Sequence, residues 1–212
     1  MVCLLPDGDY DAGHMQAEIL TTIEAVIFMA KSSRCEELLA EKLIKSTMLH
    51  AGKMLKYQLD EVVLPNGKKA NREVIRHPEA VAVVPFLPDG RIVMVRQYRY
   101  PVEQALYEIP AGKLDPGEMP DDCVRRELEE ETGYSAGKIR RLSSIFTAPG
   151  FCDEKIHIYR ADDLTAGRQH TDEDEFIQIQ PFTARKIRAM IKKGEICDAK
   201  TLCGLMLAKI AK

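Results

Sequence analysis

The stretch from Gly112 to Tyr134, GKLDPGEMPDDCVRRELEEETGY, decides how the rest of the chain is read. Pro120 suits a first helical position, Asp121 and Asp122 suit the positive N-terminal end, and Gly133 suits the residue that stops a helix, so the spacing predicts a helix over 120–132. On that helix Glu127, Glu130 and Glu131 stand at i, i+3 and i+4, and their carboxylates share one face within about 100° of arc. Like charges repel at this spacing. A hard divalent cation such as Mg²⁺ or Mn²⁺, which prefers carboxylate oxygens, turns the arrangement favourable. Cys123, one turn earlier, is too soft for an all-oxygen site and reads as a packing residue. Taken alone, an acidic helix face is more often a solvated surface, so its meaning depends on its flanks.

Those flanks look built for a cation. Gly112 follows the strand-like Tyr107 to Ile109 and allows close backbone approach, and the Ala111 carbonyl is placed to point at the same ion. Arg126 is positioned to bridge to Glu118 with a bidentate fork that lysine would not reproduce, fixing the loop against the helix.

Upstream, the texture is β. Tyr57, Leu59 and Val63 lead to Asn66-Gly67, a tight-hairpin dipeptide, and Arg72 to Ile75 would return. Val81 to Leu87 and Arg91 to Tyr98 flank Asp89-Gly90, a second hairpin signal, and the run Val81-Ala82-Val83-Val84 is apolar on both faces, as in a central strand. Downstream, strands are expected at Ile139 to Phe146, Lys155 to Tyr159 and Phe176 to Ile179. Thr183 and Asp198 are expected to cap two closing helices. Residues 1–48 read as a helical extension, with Ile19, Leu20, Ile23, Val26 and Ile27, then Leu38, Leu39, Leu43 and Ile44, at helical spacing. Strands mixed with helices on this scale predict an α/β layered domain with a small β-rich preface.

At 212 residues one domain with an appendage, or two small ones, fits, and 45% hydrophobic with 30% charged residues excludes a disordered or collagen-like chain. A net charge of −3 is too balanced to imply a nucleic-acid or anionic-membrane partner. The longest apolar run, Ala25 to Ala30, is far shorter than the roughly 18 residues of a spanning helix. The acidic start (Asp7, Asp9, Asp11) lacks the basic flank of a secretory leader, and Cys3, Cys35, Cys123, Cys152, Cys197 and Cys203 form no CxxC pair, which together favour a cytoplasmic protein with reduced thiols. None of the five histidines is paired at ligand spacing, and no Ser-His-Asp order or Walker lysine motif stands out.

Gly112, Glu118, Arg126, Glu127, Leu128, Glu130, Glu131, Gly133 and Tyr134 match the box of the Nudix hydrolases, Tyr134 being the one soft match. The seven fixed identities, at roughly one in fifteen each, give a chance occurrence on the order of 10⁻⁸ per start position, which outweighs the solvated-surface reading. The resemblance runs over about 46–211 and is nearest to the ADP-ribose pyrophosphatase subgroup. Pro149, sixteen residues beyond Gly133, sits in a loop similar to that subgroup's, and Gln97-Tyr98-Arg99 and Glu108-Ile109-Pro110-Ala111-Gly112 look like its substrate-binding segments.

The resemblance implies a Nudix α/β/α sandwich with a mixed sheet over 79–212, preceded by a small antiparallel β-rich subdomain over 49–78 that swaps in a homodimer. It implies that Glu127, Glu131, Glu175 and the Ala111 carbonyl hold Mg²⁺, with Mn²⁺ as a substitute. Glu130 is then a ligand or a water-orienting group, grouped with Arg126 and with Glu173, the base from the acidic loop Asp172 to Glu175. Arg99 meets the diphosphate, Glu108 and Pro149 belong to the substrate site, and Arg72 and Glu73 reach the nucleotide from the partner subunit. The base-stacking aromatic of the subgroup has no counterpart in Ala51-Gly52-Lys53-Met54, which leaves Met54 or Tyr57 for that contact. The implied reaction is Mg²⁺-dependent hydrolysis of ADP-ribose to AMP and ribose 5-phosphate. The alternatives are a broader nucleoside-diphosphate-sugar or NADH pyrophosphatase and, from another class, a non-catalytic ADP-ribose sensor.

Overall fold

The computed structural model describes residues 38–171 and 175–211. The expected helical pattern at Ile19 to Ile27 and the proposed base Glu173 lie outside the described residues. The chain divides into two compact units, Met1–Thr47 with Leu59–Arg72, and Met48–Gln58 with Glu73–Lys212.

Three strands, β1 (Lys42–Ala51), β2 (Lys56–Val63) and β3 (Lys69–Arg76), form one sheet in that order. The first unit holds 42–47, 59–63 and 69–72 of them. Its β2–β3 turn is the one expected at Asn66-Gly67: Leu64 N–H donates to Lys68 O, and Gly67, at φ 80°, donates to Leu64 O, each at 2.8 Å. The helical reading of Leu43 and Ile44 is corrected, because both lie in β1. Every residue of β1 is exposed, and its apolar residues come in adjacent pairs, Leu43-Ile44 and Met48-Leu49. A strand without a buried face shows no alternation to read.

The second unit contains two further sheets. One runs β10 (Ile177–Phe182), β5 (Ile92–Arg99), β6 (Gln104–Glu108), and the other runs β7 (Ala111–Lys113), β4 (Ala80–Pro85), β9 (Lys155–Ala166), β8 (Tyr134–Phe146). In these two sheets β4 and β9 pair in parallel, and β10–β5, β5–β6, β4–β7 and β8–β9 pair antiparallel. The Asp89-Gly90 turn forms, with Leu87 N–H on Arg91 O at 2.8 Å, yet the strands it joins do not make a continuous hairpin. They touch at one bridge, Phe86 to Ile92, and then separate into different sheets. The turn signal is local, whereas β4 buries both faces and takes β9 and β7 as its neighbours.

Strand β4 shows how the layers are organised. Val81 and Val83 join one core with Cys123, Val124 and Leu128 of α1 (Pro120–Thr132), while Ala80, Ala82 and Val84 join another with Ile187 and Met190 of α2 (Ala184–Lys192) and Leu205 of α3 (Ala199–Leu207). Alternate residues of a strand point to opposite faces, so a fully buried strand between two helical layers is apolar throughout. All six β4 residues are buried. Removing apolar area of this kind from water stabilises by roughly 25 cal/mol per Å².

Helix boundaries follow the expected chemistry. Pro120 opens α1 and Gly133 closes it at φ 70°, its N–H on Glu129 O at 2.7 Å. Thr183 Oγ1 accepts from Lys186 N–H, and Asp198 accepts from Thr201 N–H. Gly204 lets α3 lie close to the sheet: a Cβ there would stand 2.6 Å from Ile109 Cδ1 and 3.2 Å from Val84 Cγ2. Among the described residues no helix is long and apolar enough to cross a membrane. Cys123, Cys152, Cys197 and Cys203 carry no disulfide.

Candidate active site

Helix α1 places its acidic face beside the short strand β7. Glu131 is 3% exposed, and its Oε2 accepts the Ala111 N–H at 3.1 Å. Glu127 lies so close to the backbone of Gly112 that a Cβ on that residue would fall 1.9 Å from the Glu127 Cδ and 2.0 and 2.2 Å from its carboxylate oxygens. Glycine at 112 is what lets the Glu127 carboxylate lie where it does against the backbone.

Arg126 fastens the preceding loop. Its Nε and Nη2 donate to Glu118 Oε1 and Oε2, both at 2.9 Å, and Nη1 donates to Glu127 at 2.8 Å and to Glu130 at 2.9 Å. Glu118 also accepts the Asp115 N–H at 2.9 Å. The Arg126 hydrogen bonds hold the Glu118 carboxyl down at about 2. Burial pushes the Cys123 thiol beneath them up to about 12, which keeps it protonated and suits a packing residue.

The two inner carboxyls behave in the opposite way. Burial raises Glu127 to about 7, Arg126 pulls it down, and the charges of Glu130 and Glu175 add to the rise. Burial raises Glu131 to about 8, with Glu127 and Glu175 adding to it against the Ala111 N–H and Arg99. The geometry thus gathers Glu127, Glu131 and Glu175 into one field, two of them with carboxyls that hold protons near neutrality.

The donor set fits a hard divalent cation. All candidate donors are oxygens, the glycine cradle brings backbone and carboxylate together, and the buried charge calls for a positive partner. Among the described residues no three His, Cys, Asp or Glu side chains form a closed metal cage.

A cleft of 390 Å³ adjoins these residues, lined by Arg99, Ala111, Gly112, Glu175, Asp198 and Lys200 among others. On its other wall Arg99 donates from Nε and Nη2 to the two oxygens of Glu108, each at 2.8 Å. Glu108 is 1% exposed and is also paired with Lys200. Burial alone would raise the Glu108 carboxyl, but the Arg99 hydrogen bonds and the Lys200 charge and hydrogen bond leave it below its usual range.

Asp198 Oδ2 receives Lys200 Nζ at 3.0 Å, Thr201 N–H at 2.9 Å and Thr201 Oγ1 at 2.6 Å, and Thr201 Oγ1 accepts the Ile109 N–H at 2.9 Å. Asp198 was read from sequence only as a helix cap; Lys200 and Thr201 went unread. The signal available was DAKT itself, a cap followed by a lysine that has to be housed at the start of α3.

The segment 167–170 is seated on the C-terminal end of α1. Gly167 N–H donates to Gly133 O at 2.6 Å, His170 N–H to Glu130 O at 3.0 Å, and Gln169 Nε2 to Glu131 O at 2.7 Å. Pro149 is exposed, in a turn where Phe151 and Cys152 N–H donate to Ala148 O. That loop is stitched to β3 through Ile75, which exchanges hydrogen bonds with Phe151 O and Asp153 N–H. Arg72 belongs to the first unit, where its guanidinium is held by Glu41. Glu73 accepts from Tyr57 and raises that phenol's pKa. Met54 lines the cleft, its sulfur accepting from Lys113 Nζ at 3.4 Å.

A family model for the NUDIX domain matches residues 76–204. The chain is similar to an ADP-ribose pyrophosphatase of Bacillus subtilis (strain 168), 42% identical over 165 residues, covering 77% of this chain and 89% of that protein. It is also similar to a methanol dehydrogenase activator of Bacillus methanolicus, 43% identical over 176 residues and covering 82% and 95%. A crystal structure of an ADP compounds hydrolase superposes with a TM-score of 0.72 at 23% identity, over 80% of this chain and 92% of that one, and shows the shared fold.

Proposed function

The chain belongs to the NUDIX domain family and is a hydrolase of diphosphate linkages, and on that premise we propose that it cleaves ADP-ribose to AMP and ribose 5-phosphate with Mg²⁺. The observation that carries this reading is the pair of inner carboxyls, Glu127 against Gly112 and Glu131 on the Ala111 N–H, behind the two residues that line one cleft together with Arg99 and Glu175.

In this reading Glu127, Glu131, Glu175 and the Ala111 carbonyl hold the cation, and Glu130 is a ligand or orients water. When bound, the divalent ion supplies charge neutralisation for the diphosphate and acidifies water. Arg99 keeps Nε and Nη2 on Glu108 and has Nη1 left to meet a phosphate oxygen. Arg126 acts on the other side, holding the loop and the outer carboxylates in place. Glu173 takes the proton of the attacking water as its oxygen bonds to phosphorus and the bridging P–O bond breaks, one phosphate leaving with each product. The contacts of 167–170 with α1 support this reading, because that segment leads into the glutamate loop.

Arg72 and Glu73 are assigned to the nucleotide end from a partner subunit of a homodimer, and a cytoplasmic location accompanies the reading. A panel of ADP-ribose, GDP-mannose and NADH, run in Mg²⁺ with EDTA controls, tests it. Release of AMP from ADP-ribose at the highest kcat/KM, abolished by EDTA, is expected. A higher value for GDP-mannose or NADH reassigns the substrate, and binding of ADP-ribose without turnover replaces the enzyme with a sensor.

A further inference from the structure

Lys200 has no part in the roles assigned above, yet its ammonium is buried at the cleft wall, with a side chain 13% exposed, against a carboxylate that is 1% exposed. Both oxygens of Glu108 are taken by Arg99, and one of them also by Lys200. A buried carboxylate facing two cations is a strut that fixes where those cations sit. Arg99 is held by two hydrogen bonds on one edge of its planar guanidinium, which sets the direction of the remaining Nη1 edge. Lys200 is itself fixed by Asp198, and Asp198 is fixed by Thr201, whose hydroxyl is bonded to the backbone of Ile109, the residue after Glu108. The chain of contacts from α3 to β6 and β5 is closed.

We infer that Lys200 is a positioning residue: by holding Glu108 in place from the α3 side, it aims the Arg99 guanidinium at the anionic diphosphate of the substrate. The inference rests on the proposed role of Arg99. Without Lys200, Glu108 is held from one side only, and its hydrogen-bonded pair with Arg99 is free to swing. The consequence falls on substrate capture more than on the bond-breaking step, because Arg99 is assigned to meeting the diphosphate and not to the water, its base or the cation.

The test uses the full chain with Mg²⁺ and ADP-ribose. Lys200→Met is expected to raise KM about tenfold while kcat changes by less than about threefold, and Lys200→Arg to restore KM to within about threefold of the parent. In an Arg99→Gln background, which should itself raise KM, adding Lys200→Met is expected to have less than about a twofold further effect, because both act through one guanidinium. A normal KM in Lys200→Met beside a raised KM in Arg99→Gln overturns the inference and leaves the Arg99 assignment standing. A full tenfold rise on top of Arg99→Gln also overturns it, since Lys200 then meets the substrate on its own. An unchanged KM in Arg99→Gln overturns the Arg99 assignment and this inference with it. Should Lys200→Met not fold, Lys200→Met combined with Glu108→Gln removes the unbalanced buried charge, and the same rise in KM is expected.

Discussion

The side-chain amide of Gln169 donates to the carbonyl oxygen of Glu131 at 2.7 Å, tying the loop that leads to Glu175 to the helix that carries the inner carboxylates. Helix C-termini leave carbonyls without helical partners, and here one is satisfied by the segment the site has to hold. Gln169→Leu leaves that carbonyl without the amide and is expected to cost about 1 kcal/mol of stability and to lower kcat about tenfold with a smaller change in Mg²⁺ affinity. Urea unfolding and steady-state kinetics check the two figures, and a kcat equal to the parent's would disconnect the loop's seat from catalysis.

Gly112→Ala places a methyl group inside the Glu127 carboxylate. Either β7 or the side chain has to move by more than an ångström. Activity on ADP-ribose is expected to fall at least about 100-fold, with Mn²⁺ binding weakened when followed by electron paramagnetic resonance. Retained Mn²⁺ affinity would remove Glu127 from the cation site.

Metal-free protein should become less stable as pH rises through neutrality. The folded-state carboxyls of Glu127 and Glu131 lie at about 7 and about 8, above the ordinary value of 4.5. Groups raised in this way contribute stability that is complete below the unfolded value and is lost as pH climbs through the folded one, each unit of displacement being worth about 1.4 kcal/mol. Denaturation in EDTA at pH 5.5 and pH 8 is expected to show the loss, Mg²⁺ to remove most of it, and Glu131→Gln to flatten it. Because a cation displaces protons from these carboxyls, Mg²⁺ binding at pH 7 should also release protons, measurable by calorimetry in buffers of different ionisation enthalpy.

Arg126→Lys keeps the charge and loses the fork. One ammonium cannot satisfy both oxygens of Glu118 together with Glu127 and Glu130. A loss of about 1–3 kcal/mol in thermal or chemical unfolding is expected, with Arg126→Ala costing more. Equal stability of the lysine variant would mean that the loop holds its place without the bidentate pair.

The parts of this molecule legible in the sequence are those fixed by neighbours in the chain. Pro120, Gly133, Thr183 and Asp198 mark helix ends by local chemistry, and the three carboxylates of α1 share a face by helical geometry alone. The Arg126 to Glu118 fork spans eight residues and was likewise readable. What escaped depends on distant partners or on missing contrast. Strand β1 is exposed along its length and carries no alternation. The Asp89-Gly90 turn was recognised, but the divergence of β4 and β5 is set by β9 and β10, which come much later in the chain. Lys200 meets Glu108 across 92 positions, so nothing near either residue announces the other.

The contact of Gly204 with Val84 and Ile109 bears on how this enzyme can be altered from a distance. At that point α3 carries no side chain of its own between its backbone and the Ile109 and Val84 side chains, and Lys200, which braces Glu108, is the second residue of the helix. A single added methyl at 204 acts as a shim: it tilts the brace outward and lengthens its reach to Glu108 while every group in the cleft keeps its identity. Under the role proposed for Lys200, substrate affinity would then depend partly on the thickness of a layer of hydrocarbon that no substrate ever meets.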